Sequence, residues 1–185
     1  MELRKINLKD AVDQWEYTTA LPEDENGLTN PYHGVSLEEY MESVLPTLIS
    51  YEHPVNMPDW FVPETYYYLW DDDNLIGEFR IRHHLTEALR NGAGHIGYSI
   101  GKSYRGKGYG TAGLGLTIQL AKDIVPEEEI YLRVNKDNLA SQKCMLAKVT
   151  IDCFRKDETM RFASYWCIYN LDGELFDDCF CIESI

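Results

Sequence analysis

Between residues 105 and 111 the chain reads Arg-Gly-Lys-Gly-Tyr-Gly-Thr, and the segments flanking this run constrain the fold more than any other feature. Gly94 to Ile100 reads as a strand before it, and Tyr109 to Asp123 carries the apolar spacing of a long helix after it. Glycines at a strand-to-helix turn let the backbone approach a ligand closely, and successive N–H groups there converge on a point that attracts anions. The N-terminus of the following helix adds a partial positive charge worth about 0.3–1 kcal/mol in exposed cases, and Arg105 and Lys107 can add charge-assisted contacts. A diphosphate suits this arrangement. A Walker loop fails on residue identity, because Gly110 is followed by Thr111 and no Lys. A dinucleotide fingerprint fails on spacing, because Gly106, Gly108 and Gly110 recur every second residue and no acidic ribose partner is evident. The remaining alternative is a glycine-rich turn that binds nothing.

The rest of the chain supplies the context. Ile130 to Val134 reads as a strand and Asn138 to Lys148 as a helix, so two strand-to-helix units follow one another, which implies parallel pairing and an α/β fold. Upstream, Tyr66 to Trp70 and Leu75 to His83 form an antiparallel pair about the turn Asp71-Asp72-Asp73-Asn74, and Leu85 to Arg90 reads as a helical turn. The triple Asp is a solvated turn, since it lacks the further ligands of a calcium loop. Thr150 to Phe154 and Arg161 to Tyr169 read as closing strands. The first third is helical and loop-rich: Leu8 to Ala20 has helical spacing, and Pro22 to Gly34 is polar and turn-forming. Ser36-Leu37-Glu38-Glu39 fits a capping box for a second helix, with Tyr40, Val44 and Leu48 on its apolar face and Pro46 expected to disturb it.

A chain of 185 residues suits one domain, taken as 1–185, with its own apolar core. The net charge of −14 repels nucleic-acid backbones and anionic membranes, and favours a cationic small molecule or basic peptide as partner. The first seven residues are charged throughout with no apolar block behind them, and five scattered cysteines form no C-x-x-C pair. A cytoplasmic protein with reduced thiols and no metal site is expected.

At this point the sequence resembles the GNAT superfamily of N-acetyltransferases. Arg105-Gly106-Lys107-Gly108-Tyr109-Gly110 satisfies the family pattern [R/Q]-x-x-G-x-[G/A], Gly94 to Ile100 resembles its central strand, and Asn135 to Ser141 resembles its second signature, N-x-x-N-x-x-S. The resemblance covers the core from residue 65 to 169, behind a variable, helical, acceptor-side region at 1–64. It implies a mostly antiparallel sheet flanked by helices, with a central pair of parallel strands splayed to admit the pantetheine arm of acetyl-CoA. Backbone groups of Tyr98 and Ile100 would then pair with pantetheine. The N–H groups of Arg105, Gly106, Lys107, Gly108, Tyr109, Gly110 and Thr111 would hold the pyrophosphate. Asn138 and Ser141 match positions near the cofactor, with an ordinary Asn helix cap as the competing reading.

The implied reaction is direct attack of a primary amine on the thioester within a ternary complex, which needs proximity and a strand N–H at the carbonyl oxygen but no metal. His95 is the leading candidate base, because it enters the splayed region and titrates near neutrality; Glu78 and His83 follow. The parity of Leu75 to His83 puts His83 with the core and Glu78 on the opposite face. The family often places a thiolate-protonating Tyr four residues beyond the signature Ser. Met145 stands there and Val149 replaces the usual following Gly, so Tyr131 is a substitute candidate for the acid. Cys144 reads as a small buried residue rather than a nucleophile. Two functions remain in competition: an N-acetyltransferase for a small-molecule or peptide amine, and a CoA-binding sensor or interaction module that has lost turnover. The segment Phe176 to Ile182 is a candidate packing arm or subunit contact, allowing a homodimer.

Overall fold

The computed structural model describes residues 1–58, 60–127, 129–135, 137–148, 154–156 and 164–170. The candidate arm at 176–182 and Val149 lie outside them. In chain order the elements are β1 (Glu2–Lys5), α1 (Ala11–Ala20), β2 (Asp24–Glu25), β3 (Leu28–Thr29), α2 (Leu37–Glu39), a π-helical turn (Tyr40–Val44) and α3 (Leu45–Ser50). There follow β4 (Glu64–Asp71), β5 (Asn74–Arg82), α4 (Glu87–Arg90), β6 (Ile96–Ile100), a 3-10 turn (Lys102–Tyr104), α5 (Tyr109–Ile124), β7 (Glu129–Asn135), α6 (Leu139–Lys148), β8 (Phe154–Lys156) and β9 (Ser164–Asn170).

Strand β4 organises the molecule, because alternation sends its large side chains into cores on both faces. Leu69 joins Phe79, Ile81 and Ile96 beneath Leu114, Ile118 and Ala121 of α5. Tyr66, Tyr68 and Trp70 point the other way, against Tyr40, Val44, Leu45 and Leu48. The first of these cores needs a glycine: a Cβ on Gly113 would sit 2.3 Å from Phe79 Cζ, so α5 can lie this close to β5 only without a side chain there.

Three local features differ from the sequence reading. The first residues form β1, an antiparallel edge strand on β4 with Leu3 opposite Leu69. A four-residue edge strand needs little apolar patterning, which is why its charges concealed it. The stretch read only as turn-forming contains the hairpin β2–β3, closed by Asn26 and Gly27 with φ of 55° and 86°, the pair of positive values that a tight hairpin turn requires. Ser36 Oγ caps the next helix by accepting from Glu39 N at 3.1 Å, as expected. Pro46 perturbs that helix without ending it. Leu45 N donates to Tyr40 O, five residues back, and this π register, just before a residue with no N–H to give, carries the helix through into α3.

The sheet is divided between the two strands expected to be its central parallel pair. Strands β1-β4-β5-β6 form one sheet and β7-β9-β8 another, and every ladder among the described residues is antiparallel. β6 and β7 meet only where Gly94 bridges Leu132 and His95 N donates to Tyr131 O at 2.8 Å. Beyond that contact β6 is an edge strand among the described residues, and the candidate site lies along this edge.

Candidate functional site

At the end of β6 the chain makes its 3-10 turn and enters the glycine run. Gly106 and Gly108 have φ of 73° and 86°, left-handed values that glycine adopts without penalty, and a Cβ on either would meet nothing within 4 Å. Space in front of the loop is therefore open, and conformation rather than crowding selects glycine. The first intrahelical bond of α5 is Ala112 N to Gly108 O at 3.0 Å, so the N–H groups of Tyr109, Gly110 and Thr111 precede the helical ladder and face the loop. Gly110 has a packing role as well: its Cβ would lie 3.0 Å from Cys144 Sγ, so its absence lets α6 approach α5.

These groups border a cleft of about 530 Å³, within the range of cofactor sites. Of the residues read from sequence as cofactor-binding, Tyr98, Ile100, Arg105, Gly106, Gly108, Gly110, Thr111, Asn138 and Ser141 line it; Lys107 and Tyr109 do not. Lys107 Nζ turns back to Ser103 O at 2.9 Å, and the Tyr109 hydroxyl donates to Asp71 Oδ2 at 2.7 Å. Asn138 is the helix cap of the competing reading, its Oδ1 accepting from Ser141 N at 3.1 Å, and it lines the cleft while doing so. Lys143, exposed on α6, adds a cation at the rim that spacing alone did not single out.

Two contacts across the cleft join distant parts of the chain. Arg105 Nε donates to Ile100 O at 2.8 Å, and its two terminal nitrogens grip the Glu25 carboxylate at 2.9 and 2.5 Å. Arg105 holds the Glu25 carboxyl below its usual range by that hydrogen-bonded pairing. Asn26 O accepts from Asn135 Nδ2 at 3.3 Å, so the β2–β3 hairpin touches both the glycine loop and the end of β7. On the α6 side, the Tyr98 hydroxyl meets Ser141 Oγ at 2.7 Å. Met145 is buried at 2 % exposure, in the core rather than at the cleft.

A second cavity of about 230 Å³ lies on the other side of the hairpin, bordered by Leu28, Tyr32, Tyr51, Phe61, Tyr66 and the charged residues Glu64, Glu78 and Arg80. Leu28 borders both cavities. Glu78 pairs in register with Ser99, which lines the larger cleft, so this carboxyl stands at the junction. Burial pushes its pKa up to about 7, against the pull of Arg80 and with a push from Glu64.

The other three candidates for proton transfer, His95, Tyr131 and His83, line neither cavity. His95 is fully buried and lines neither cavity; its Nδ1 accepts from Tyr131 N at 2.9 Å, and burial depresses its pKa. Its Nε2 lies 3.6 Å from Glu127 Oε2, and both atoms are buried without a hydrogen-bond partner among the described residues. Tyr131 lies under the Arg90 guanidinium, 4.4 Å from its ring centroid, and also lines neither cavity. His83, half-buried, pairs Nε2 with Thr65 Oγ1 at 2.8 Å.

A family model described as an acetyltransferase (GNAT) domain matches residues 1–147. The chain belongs to this family. No curated protein sequence matches it. Among solved structures, the fold is similar to a ribosomal-protein-S5-alanine acetyltransferase from Vibrio fischeri, with TM-score 0.60, 20 % identity, and 92 % and 93 % of the two chains covered. It is similar to AAC(6')-Ib in complex with ribostamycin and coenzyme A, with TM-score 0.58, 18 % identity, and 92 % and 93 % covered. It is also similar to a spermidine N-acetyltransferase SpeG chimera from Vibrio cholerae and hSSAT, with TM-score 0.59, 16 % identity, and 93 % and 97 % covered. At these identities the likeness is one of fold.

For a GNAT protein the glycine loop and the α6 start were therefore legible from residue spacing, whereas Glu25, Asn26, Leu28, Lys143 and the Tyr98 hydroxyl were not. Glu25 and Arg105 are 80 residues apart, and only folding brings them together. No helix among the described residues is long and apolar enough to cross a membrane, and no cluster of metal-ligating side chains occurs among them.

Proposed function

We propose that this GNAT protein transfers an acetyl group from acetyl-CoA to a primary amine by direct attack in a ternary complex. The observation that carries the reading is the cleft beside β6, where the left-handed Gly106 and Gly108 open onto clear space ahead of the first helical hydrogen bond. Acetyl-CoA, when bound, supplies a thioester already activated toward attack by nitrogen. The N–H groups at the start of α5 fit its pyrophosphate, Lys143 and the partly committed Arg105 fit its anionic end, and the edge of β6 at Tyr98 and Ile100, which lines the cleft, fits its amide arm.

Glu78 is the base in this reading, in preference to His95 and His83, which line neither cavity. Its carboxylate accepts the proton that an ammonium must shed before attack, and a carboxyl titrating near 7 is matched to that task. A proton for the departing sulfur comes from Tyr98 Oη, replenished through Ser141 Oγ at 2.7 Å, so that a hydroxyl on β6 takes the place left by Met145. Charge developing at the carbonyl oxygen is met by strand or loop N–H groups.

Following free thiol with acetyl-CoA and an amine panel tests the proposal, alongside calorimetric titration with CoA. Tight CoA binding with turnover upholds it, and absence of CoA binding defeats it. CoA binding without transfer to any amine would establish the second reading, a CoA-responsive module, which the burial of Met145 favours. Tyr98→Phe is expected to lower kcat by about 10-fold or more while leaving CoA affinity intact, measured by steady-state kinetics and calorimetry.

A further inference from the structure

The smaller cavity carries information about the acceptor that the cofactor cleft does not. Its volume of about 230 Å³ equals roughly eight waters of liquid volume and falls below that of sites for drug-sized ligands. Four aromatic rings border it, from Tyr32, Tyr51, Phe61 and Tyr66, with Tyr51 and Phe61 tilted together at 5.0 Å between centroids.

Most polar groups at its wall are already committed. Asn30 donates to Thr18 O and Leu21 O and accepts from Tyr32 N. Glu64 accepts from the Tyr66 hydroxyl at 2.9 Å and lies 3.5 Å from Arg80 and 3.7 Å from Arg82. Arg80 donates to the Tyr66 hydroxyl at 3.1 Å. Glu78 alone among these charged groups makes no hydrogen bond or close ion pair among the described residues, and it stands at the junction with the cleft. One carboxylate can therefore receive one ammonium. Arg80, whose charge already acts on Glu78, borders the same cavity with Arg82 behind it, so each further ammonium brought in adds a like-charge cost that selects against polycations.

Resting on the acetyl-transfer reading above, we infer that this cavity takes a small, singly charged amine with a flat apolar body, an arylalkylamine in chemical class. The ammonium meets Glu78 and the ring packs among Tyr51, Phe61 and Tyr66. Amine–carboxylate pairing in an apolar surround is stronger than in water, and the rings supply area without flexible side chains to order.

Initial rates of thiol release with acetyl-CoA and 2-phenylethylamine, ethylamine, spermidine or ribostamycin test it. The expected result is a kcat/KM for 2-phenylethylamine at least about tenfold above each of the others, and a fall of about tenfold in the phenylethylamine-to-ethylamine ratio in Phe61→Ala, whose site is half-exposed on a loop. Equal or better turnover of spermidine or ribostamycin overturns the inference, as does an unchanged ratio in Phe61→Ala. If no amine turns over, calorimetric titration of 2-phenylethylamine into the protein reads the cavity alone. Binding weakened by Phe61→Ala and by Glu78→Gln upholds the inference, and no detectable heat at ligand concentrations of about 10 mM overturns it. Phenylethylamine binding without CoA binding would sink the acetyl-transfer reading and leave the cavity's ligand class standing.

Discussion

Glu78 faces three demands at once: an apolar surround that disfavours its charge, Arg80 that favours it, and Glu64 that opposes it. Tyr17, Tyr66 and Tyr68 face it from α1 and β4, all with pKa values raised by burial and so neutral in the working range. With the group titrating at about 7, kcat/KM is expected to rise with pH and level off above neutrality, and Glu78→Gln should flatten that limb and cost about 10²–10⁴ in rate, read from a pH–rate profile. Stability moves the other way. The folded protein keeps this proton between the ordinary value of 4.5 and about 7 while the unfolded chain has lost it, so stability falls as pH rises through that window. Thermal unfolding should therefore find Glu78→Gln more stable than the parent at about pH 8 and equal to it at about pH 4. His95 predicts the converse, a structural role. Replacing it by Ala leaves Tyr131 N without its acceptor, which should cost about 1–3 kcal/mol in urea unfolding with kcat little changed. Sequence parity placed Glu78 opposite the core but could not rank it above His95, because burial at the β6–β7 contact depends on which strands meet there.

At the scale of elements, two glycines of one helix separate binding from packing. Gly113→Ala drives a methyl into Phe79 and is expected to cost about 1–3 kcal/mol of stability with CoA affinity retained, measured by denaturant unfolding and calorimetry. Gly108→Asp meets no neighbour, so it should cost only the left-handed strain of about 1–2 kcal/mol, yet abolish CoA binding by setting a carboxylate where the pyrophosphate belongs. The elements legible in the sequence were those whose period or dihedral demand is local: the glycine loop, α5, the β4–β5 pair and the Ser36 cap. Asn26-Gly27 was a readable hairpin signal that the surrounding polarity obscured. The short, charged β1 left no periodic trace, and the opening between β6 and β7 was expected from the family resemblance and not from any periodicity.

Across the whole molecule, the first 30 residues and the segment from 99 to 135 are tied together by side chains far apart in sequence. Arg105 reaches Glu25, Asn135 reaches Asn26, and the Tyr17 hydroxyl meets Ser99 Oγ at 2.9 Å across 82 residues. Glu25→Gln should weaken the exposed fork and speed hydrogen exchange in residues 24–30 without changing protection in β5 or α5, because an exposed charge pair contributes only about 1 kcal/mol or less. The position of Leu28 on the walls of both cavities bears on how such a protein can change its diet. On the proposed function, a substitution there alters the fit of both reactants together, which makes the hairpin a poor place for gradual drift in substrate preference. Tyr51 and Phe61 border the smaller cavity alone, so if that cavity holds the amine as proposed, it is through them that a lineage can explore new acceptors while its grip on the acyl donor is left undisturbed.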